Sequence, residues 1–184
     1  MRVYKALKKQ EFRIDNYCLT PIRYEDRFKI MEWRNEQIYH LRQNEPLTVE
    51  KQEHYFSTTI ASLFTEDKPD QILFSLLKDE ECIGYGGLVH INWADRNAEI
   101  SFVMNTALEK KEFSNNWTKY LNLIEKVAFI YLKLRKLYVY AFDLRPHLYL
   151  TLEANSYFLD ARLKEHCFFN DEFKDVVIYS KLYK

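Results

Sequence analysis

The stretch "AEISFVMNTALEKKEFSNNW", residues 98–117, joins a strand to a helix and decides the fold. It opens with the apolar–polar alternation that is typical of a strand. It ends where apolar residues begin to recur at helical spacing, the strongest helix signal in the chain: Trp117, Tyr120, Leu121, Ile124, Val127, Ala128 and Tyr131. Such junctions hold phosphate groups in many folds, because the amides at a helix N-terminus point at the ligand. This junction contains no glycine.

The next strand along the chain is "KLYVYAFD", residues 136–143. Two strands joined by one helix form a right-handed crossover and lie parallel in the sheet. Ligands of open sheets collect at the carboxyl ends of such strands, where the strand order changes hand. The sequence therefore predicts a binding site at the junction after Asn105.

Upstream, residues 71–105 read as a three-strand antiparallel meander, "ILFSLLKD", "CIGYGGLVHINW" and "AEISFVMN", with turn residues between the strands. "FRIDNYCLTPI" predicts an earlier hairpin that turns at Asp15-Asn16. "YEDRFKIMEWRNEQI" predicts a short helix, and Thr48 is a favourable cap for a second one.

Downstream, "PHLYLTLEAN" predicts a helix with Pro146 in its first turn, and a closing hairpin turns at Asn170-Asp171. This order of elements predicts an α/β fold with a mixed, mostly antiparallel central sheet flanked by helices. A chain of 184 residues suits one domain, 1–184, in which residues 1–16 form an N-terminal extension with a hairpin strand.

The charge and composition of the chain limit the classes of molecule that it is expected to bind. The 27 basic residues balance the 27 acidic ones, and no run of five like charges occurs, which argues against a nucleic-acid or membrane partner. A signal peptide and an 18-residue apolar run are both missing, which predicts a cytoplasmic protein. The histidines and cysteines lack metal-site spacing, so no metal is expected. We expect a small-molecule partner and a monomer or homodimer.

Three segments, in this order, carry a resemblance to a known family: "LTPIRYEDRFKIMEWRN" (19–35), "INWADRNAEISFVM" (91–104) and "RPHLYLTLEANSYFLDARLKEHCFFNDEFKDVVIYS" (145–180). Together they resemble the GNAT family of acetyl-CoA-dependent N-acetyltransferases, in particular the branch of ribosomal-protein and nucleotide-sugar acetyltransferases. The resemblance implies the GNAT fold, acetyl-CoA as co-substrate and acetyl transfer to a primary amine.

One family motif is degenerate here. In the family, (Q/R)xxGx(G/A) follows the central strand and its amides cradle the coenzyme A pyrophosphate. Counted back from the "KLY" strand, its glycines would fall near Phe113, Asn115 and Trp117, whereas the only glycines are Gly84, Gly86 and Gly87. Asparagine tolerates positive φ better than other non-glycine residues, so Ser114, Asn115 and Asn116 are predicted to form the cradle. The alternative is that they only cap a helix beginning near Trp117.

Further site residues follow from the resemblance. The main chain of Phe102, Val103, Met104 and Asn105 is expected to bind the pantetheine arm and the reaction's oxyanion. Glu99 matches a position at which some relatives place a carboxylate base; the alternative is a solvated strand glutamate. The family's thiolate-protonating tyrosine falls at Leu152, so Tyr149, one turn earlier on the same helix face, is the candidate acid. The alternative for Tyr149 is a core residue.

The loop "WRNEQIYHLRQNEPL", residues 33–47, covers the acceptor site in relatives, which makes Arg34, Asn35 and Gln43 candidate acceptor ligands. A surface loop would be equally polar. The leading hypothesis is an N-acetyltransferase that acts on the amine of a small metabolite, with an amino sugar, free or nucleotide-linked, preferred. A catalytically degenerate binding module, favoured by the missing glycines and by Leu152, and a protein N-terminal acetyltransferase are the alternatives.

Overall fold

The computed structural model describes residues 2–183 and contains one eight-stranded sheet. The strands are β1 (Phe12–Ile14), β2 (Tyr17–Pro21), β3 (Ile72–Lys78), β4 (Glu81–Asn92), β5 (Asn97–Met104), β6 (Lys136–Phe142), β7 (Phe158–Phe169) and β8 (Glu172–Leu182). Their order is β1-β2-β3-β4-β5-β6-β8-β7, and every neighbouring pair is antiparallel except β5 and β6. The predicted mixed, mostly antiparallel sheet is confirmed.

The helices are α1 (Arg27–Glu36), α2 (Val49–Ser57), α3 (Thr59–Leu63), α4 (Thr106–Glu125) and α5 (Pro146–Ala154). The Oγ1 atom of Thr48 accepts a hydrogen bond from the amide of Lys51 at 3.3 Å and caps α2 as predicted. Asn170 and Asp171, with φ of 51° and 59°, form the predicted turn between β7 and β8. These local signals are reliable because each rests on a residue type that the backbone position requires.

The start of α4 differs from the prediction. The helix begins at Thr106, directly after β5, and not near Trp117. Asn105 is its N-cap, and its Oδ1 atom accepts from the amide of Ala107 at 2.9 Å. A kink at Glu112, with φ −129° and ψ 23°, divides the helix, so that a second helical segment starts at residue 113. The first segment, "TALEKK", lacks an apolar stripe but consists largely of strong helix formers, and propensity carries it.

The parallel pair β5–β6 is short. Asn97, Ala98 and Glu99 pair with residues 136–138, and beyond that point the two strands are no longer paired. Glu99 therefore lies at the fork of a V-shaped splay. The helix α4 covers this part of the sheet, with Tyr120, fully buried, donating a hydrogen bond from its hydroxyl to the Ser101 carbonyl at 2.7 Å.

Gly86 of β4 makes this packing possible. A Cβ atom at Gly86 would lie 2.1 Å from the Ser101 carbonyl oxygen and 2.8 Å from the Tyr120 hydroxyl. Only glycine allows the neighbouring strand and α4 to approach so closely. Gly86 thus lies beneath the helix, and all three glycines lie in β4 and not at the N-terminus of α4.

Two further features concern residues 2–183 only. Within that range no helix is long and apolar enough to cross a membrane. In the same part of the chain, no three histidine, cysteine, aspartate or glutamate side chains are grouped so that they could hold a metal ion.

Candidate active site

The splay between β5 and β6 forms a narrow slot with a volume of about 80 Å³. The strand residues that line it are Ile100, Ser101, Phe102 and Val103 from β5 and Val139, Tyr140, Ala141 and Phe142 from β6. Trp117 closes it from α4 and Leu148 from α5. Its walls combine these side chains with the charged side chains of Arg42, Glu99 and Arg145, and they include the main chain of two diverging strands.

Glu99, at the fork, is 5% exposed, so the solvated alternative does not hold. Its carboxylate forms an ion pair with Arg42, and its Oε2 atom lies 3.8 Å from Nε2 of His90. Burial raises the pKa of Glu99, and the charges of Arg42 and His90 oppose that rise. A carboxylate with a raised pKa is a better proton acceptor at neutral pH. The geometry supports a base at this position, although the role itself stays a prediction.

Arg42 bridges the two walls of the slot, and sequence reasoning did not select it. Besides pairing with Glu99 of β5, its guanidinium lies 4.7 Å from the ring centroid of Tyr140 of β6. Its side chain is about half exposed, at 48%. Arg42 lies in the polar loop after α1 that the sequence had marked, but nothing local distinguishes it from its neighbours.

The residues predicted to cradle the pyrophosphate lie in the first turn after the kink of α4. The Ser114 hydroxyl lies 2.9 Å from that of Thr151. The Tyr17 hydroxyl accepts from Nδ2 of Asn115 at 3.0 Å and donates to Oδ1 of Asn116 at 2.8 Å. Neither asparagine has a positive φ, so that part of the hypothesis is wrong. Each of these side chains contacts another part of the fold, and Nδ2 of Asn116 is buried without a hydrogen-bond partner.

Aromatic side chains occupy two of the three positions at which the family's glycines were counted, Phe113 and Trp117. Phe113 is buried and packs against His147, with ring centroids 4.4 Å apart. Trp117 packs edge-to-face on Phe102 at 5.1 Å. The region around the N-terminal half of α4 is therefore a packed aromatic cluster.

Arg145 also lines the slot and brings a buried positive charge to it. It directly precedes Pro146 of α5 and is 9% exposed. Its Nη1 atom donates to Oε1 of Glu109 at 3.2 Å and lies 3.3 Å from Nε2 of His40. Because a guanidinium only donates, that histidine nitrogen is the acceptor in this contact. Burial, and then the charge of Arg145, lower the pKa of His40 to about 3, so the ring is neutral.

The end of β5 is held by neighbouring elements. The amide of Asn105 donates to the Ile83 carbonyl at 2.8 Å. The side-chain amide of Gln37 donates to the Met104 carbonyl at 2.7 Å. Of the four residues predicted to bind the cofactor here, Phe102 and Val103 line the slot, and Met104 and Asn105 lie just beyond its lining.

Tyr149 does not line the slot, and the residue of α5 that does is its neighbour Leu148. The Tyr149 hydroxyl donates to the Phe142 carbonyl at 3.1 Å, and its ring stacks on Tyr179 with centroids 5.4 Å apart. Burial raises the pKa of Tyr149 above its usual value. Its assignment as the acid stays a prediction.

The three predicted acceptor ligands contact one another. Nε of Arg34 donates to Oε1 of Gln43 at 2.9 Å, and the Gln43 side-chain amide donates to Oδ1 of Asn35 at 3.1 Å. Asn35 also fixes the backbone of Leu47 through both of its side-chain polar atoms. Asn35 and Gln43 thus hold the loop together, whereas Arg34 reaches beyond it and donates from Nη1 to the Tyr85 hydroxyl at 2.6 Å.

Arg34 lines a pocket of about 410 Å³, here called the acceptor pocket, between α1, α2 and the sheet. Its other lining residues are Ile22, Ile30, Leu47, Lys51, Gln52, Tyr55, Phe56, Gln71, Leu73, Tyr85, Val89 and Ser101. A pocket of this size is typical of a small-molecule site. Ser101 lies two residues after Glu99 in β5 and lines both this pocket and the slot. The two cavities therefore meet at Ser101.

Comparison with known proteins identifies this arrangement. A family model described as "Acetyltransferase (GNAT) domain" matches residues 19–175. The chain belongs to this family. It is an acyl-CoA-dependent N-acetyltransferase with acetyl-CoA as its co-substrate. A search of curated protein sequences returns no match.

Solved structures show the same GNAT fold. The spermidine N-acetyltransferase of Vibrio cholerae in complex with CoA and spermine is 20% identical, with a TM-score of 0.79 over 91% of this chain and 95% of that one. A dodecameric structure of that enzyme in an intermediate state is 21% identical, with a TM-score of 0.75 over 91% and 94% of the two chains.

The residues of the slot suit acetyl-CoA. Its apolar side chains and the unpaired edges of β5 and β6 match an extended pantetheine arm, and the buried cation Arg145 matches a diphosphate. The first turn after the kink of α4 adds the partial positive charge of a helix N-terminus. We expect Phe102 and Val103 to hold the arm and Arg145 to face the diphosphate.

Proposed function

We propose that this GNAT enzyme transfers an acetyl group to the primary amine of a small metabolite, an amino sugar that is free or nucleotide-linked. The resemblance of three segments to the ribosomal-protein and nucleotide-sugar branch supports this class of acceptor. The observation that carries the proposal is the position of Glu99, a buried carboxylate at the fork from which the slot opens.

The chain's own residues account for the proton transfers around the acceptor. Acetyl-CoA supplies the thioester when bound. Glu99 accepts a proton from the acceptor amine, whose nitrogen then forms the new bond to carbon as the carbon–sulfur bond breaks. The charge of Arg42 opposes the pKa rise that burial causes and so favours the ionised form of Glu99. The nitrogen loses a second proton as the amide forms, and the leaving thiolate takes up one proton to become the thiol of CoA, so charge and atoms balance.

Glu99→Gln tests the proposal because it removes the base and preserves the size of the side chain. With a panel of free and nucleotide-linked amino sugars and amino-terminal peptides, we expect CoA release by the wild type to be fastest with an amino sugar. The variant should lose about 10²-fold or more in kcat while its melting temperature and its acetyl-CoA affinity in calorimetry stay unchanged. Glu66→Gln, at an exposed glutamate, is the matched control.

Four results would count against the proposal. Equal rates for Glu99→Gln and the wild type would remove Glu99 as the base. Acetylation of peptides alone would point to the protein N-terminal alternative. Acetyl-CoA binding without turnover of any amine in the panel would point to a binding module, and no calorimetric signal at millimolar acetyl-CoA would contradict use of this cofactor.

A further inference from the structure

Arg34 is a half-buried cation with neutral partners only. Two of its five N–H groups donate to protein, one to Gln43 and one to the Tyr85 hydroxyl. In the part of the chain that the structure describes, no aspartate or glutamate lies within ion-pair distance of its guanidinium. Charges taken out of water are normally paired. The acceptor pocket therefore contains a positive charge that is unmatched by the protein.

The rest of the acceptor pocket does not supply the missing negative charge. Lys51 also lines it, and none of its described lining residues is acidic. The partner of Lys51 is Glu45, which is 71% exposed and lies outside the lining. The remaining polar groups, those of Gln52, Tyr55, Gln71, Tyr85 and Ser101, are amides and hydroxyls. A polycation such as the spermine bound by the structural relative would meet repulsion here.

An acidic group lies on the far side of Ser101 from Arg34. Glu99 lines the slot, which Arg34 does not line, and Ser101 lines both the slot and the acceptor pocket. Asp70 lines an adjoining pocket of about 450 Å³, but the cations Arg34 and Arg42 line that pocket too. A molecule that extends from the acceptor pocket past Ser101 to the fork would thus meet Arg34 at one end and the carboxylate of Glu99 at the other. This charge separation matches an acceptor with an amine at one end and an anion at the other.

We propose that the acceptor is an anionic amine and that Arg34 binds its phosphate or carboxylate group while the amine faces Glu99. The inference rests on the proposed function and specifies its substrate class. Three N–H groups of Arg34 remain free of protein partners, and a guanidinium edge matches the two oxygens of a phosphate or carboxylate. Lys51 adds a second, more exposed positive charge at the rim.

The test compares amines of different charge. Glucosamine, glucosamine 6-phosphate and the corresponding uronic acid carry a hydroxyl, a phosphate or a carboxylate at one carbon, and spermidine represents the polycations. We expect kcat/KM to be at least about 10-fold higher for an anionic sugar than for glucosamine and lowest for spermidine. The better of the two anionic sugars identifies the group that Arg34 binds.

Arg34→Gln should reduce the preference for the anionic sugar to about 2-fold or less and raise its calorimetric Kd, measured with CoA present, about 10-fold. Arg13→Gln, at an exposed arginine of β1, is the control that removes equal charge. Lys51→Gln, at the rim, should reduce the preference about 3-fold and serves if Arg34→Gln fails to fold.

The outcomes separate the two proposals. Equal kcat/KM for glucosamine and its anionic derivatives, or a preference for spermidine, overturns the role of Arg34 and leaves acetyl transfer intact. An Arg34-dependent Kd without turnover of any amine supports the anion site and overturns the proposed function.

Discussion

Two arginines at the active site differ in their counter-ions. Arg145, at the end of the slot, pairs with Glu109 and contacts the neutral ring of His40. Arg34, in the acceptor pocket, has only an amide and a phenol as partners. A buried ion pair is satisfied without a ligand, whereas an unpaired cation in a cavity is completed by an anion. The first arginine thus belongs to the framework as well as to the slot, and the second belongs to a binding site.

The largest expected difference between Arg145 and Arg34 is in the free energy of unfolding that each substitution removes. Arg145→Gln leaves Glu109, whose side chain is only 10% exposed, without its partner. Breaking a buried pair from one side costs about 3 kcal/mol. Arg34→Gln leaves no carboxylate behind and should cost about 1 kcal/mol, the worth of lost hydrogen bonds. Urea unfolding followed by circular dichroism measures both free energies.

The double variant Arg145→Gln/Glu109→Gln is the internal control for this difference. It removes both charges and should recover part of the lost stability, since the stranded carboxylate is then absent. Equal losses for Arg34→Gln and Arg145→Gln would break the distinction between a framework arginine and a ligand-binding one.

A second, smaller effect concerns Arg42, which lies between the two regions and lines both the slot and the pocket that adjoins the acceptor pocket. Its charge lowers the pKa of Glu99, against the rise caused by burial. Without it that pKa rises further, so a smaller fraction of Glu99 is ionised at any acidic pH. In Arg42→Gln the acid limb of the kcat/KM profile should therefore move to higher pH.

The pH profile of each protein is measured from pH 5 to 9 with one acceptor, and Arg13→Gln again controls for the loss of surface charge. An acid limb that stays in place, or one that moves to lower pH, would mean that Glu99 is not the group titrating in that limb.

The sequence predicted the framework better than the site. Alternation and turn residues predicted β5, β6 and the closing hairpin, because each signal is local. The early start of α4 was missed, since "TALEKK" has no apolar stripe and the helical spacing was counted from Trp117. The cap at Asn105 and the strong helix formers after it are the signal that would have placed it.

The site depends on contacts between distant parts of the chain. Arg42 meets Glu99 across 57 residues, and Arg34 meets Tyr85 across 51. The family resemblance selected Glu99 and Arg34 as candidate site residues. The sequence pattern shows neither that Glu99 is buried nor that Arg34 lacks a counter-ion. The same limit applies to Arg145, whose partner Glu109 lies 36 residues earlier.

The smallest expected effect concerns Tyr149. It was chosen as the candidate acid because it lies one turn before Leu152, the position at which the family has its tyrosine. If Tyr149 protonates the leaving thiolate, removal of its hydroxyl should lower kcat about 10²-fold. The hydroxyl of Tyr149 donates to the Phe142 carbonyl and the residue does not line the slot. We therefore expect Tyr149→Phe to lower kcat less than about 3-fold. Tyr179→Phe, at its stacking partner, is the control for altered packing. A loss near 10²-fold confined to Tyr149→Phe would instead establish the acid role and imply that this side chain turns into the slot when acetyl-CoA binds.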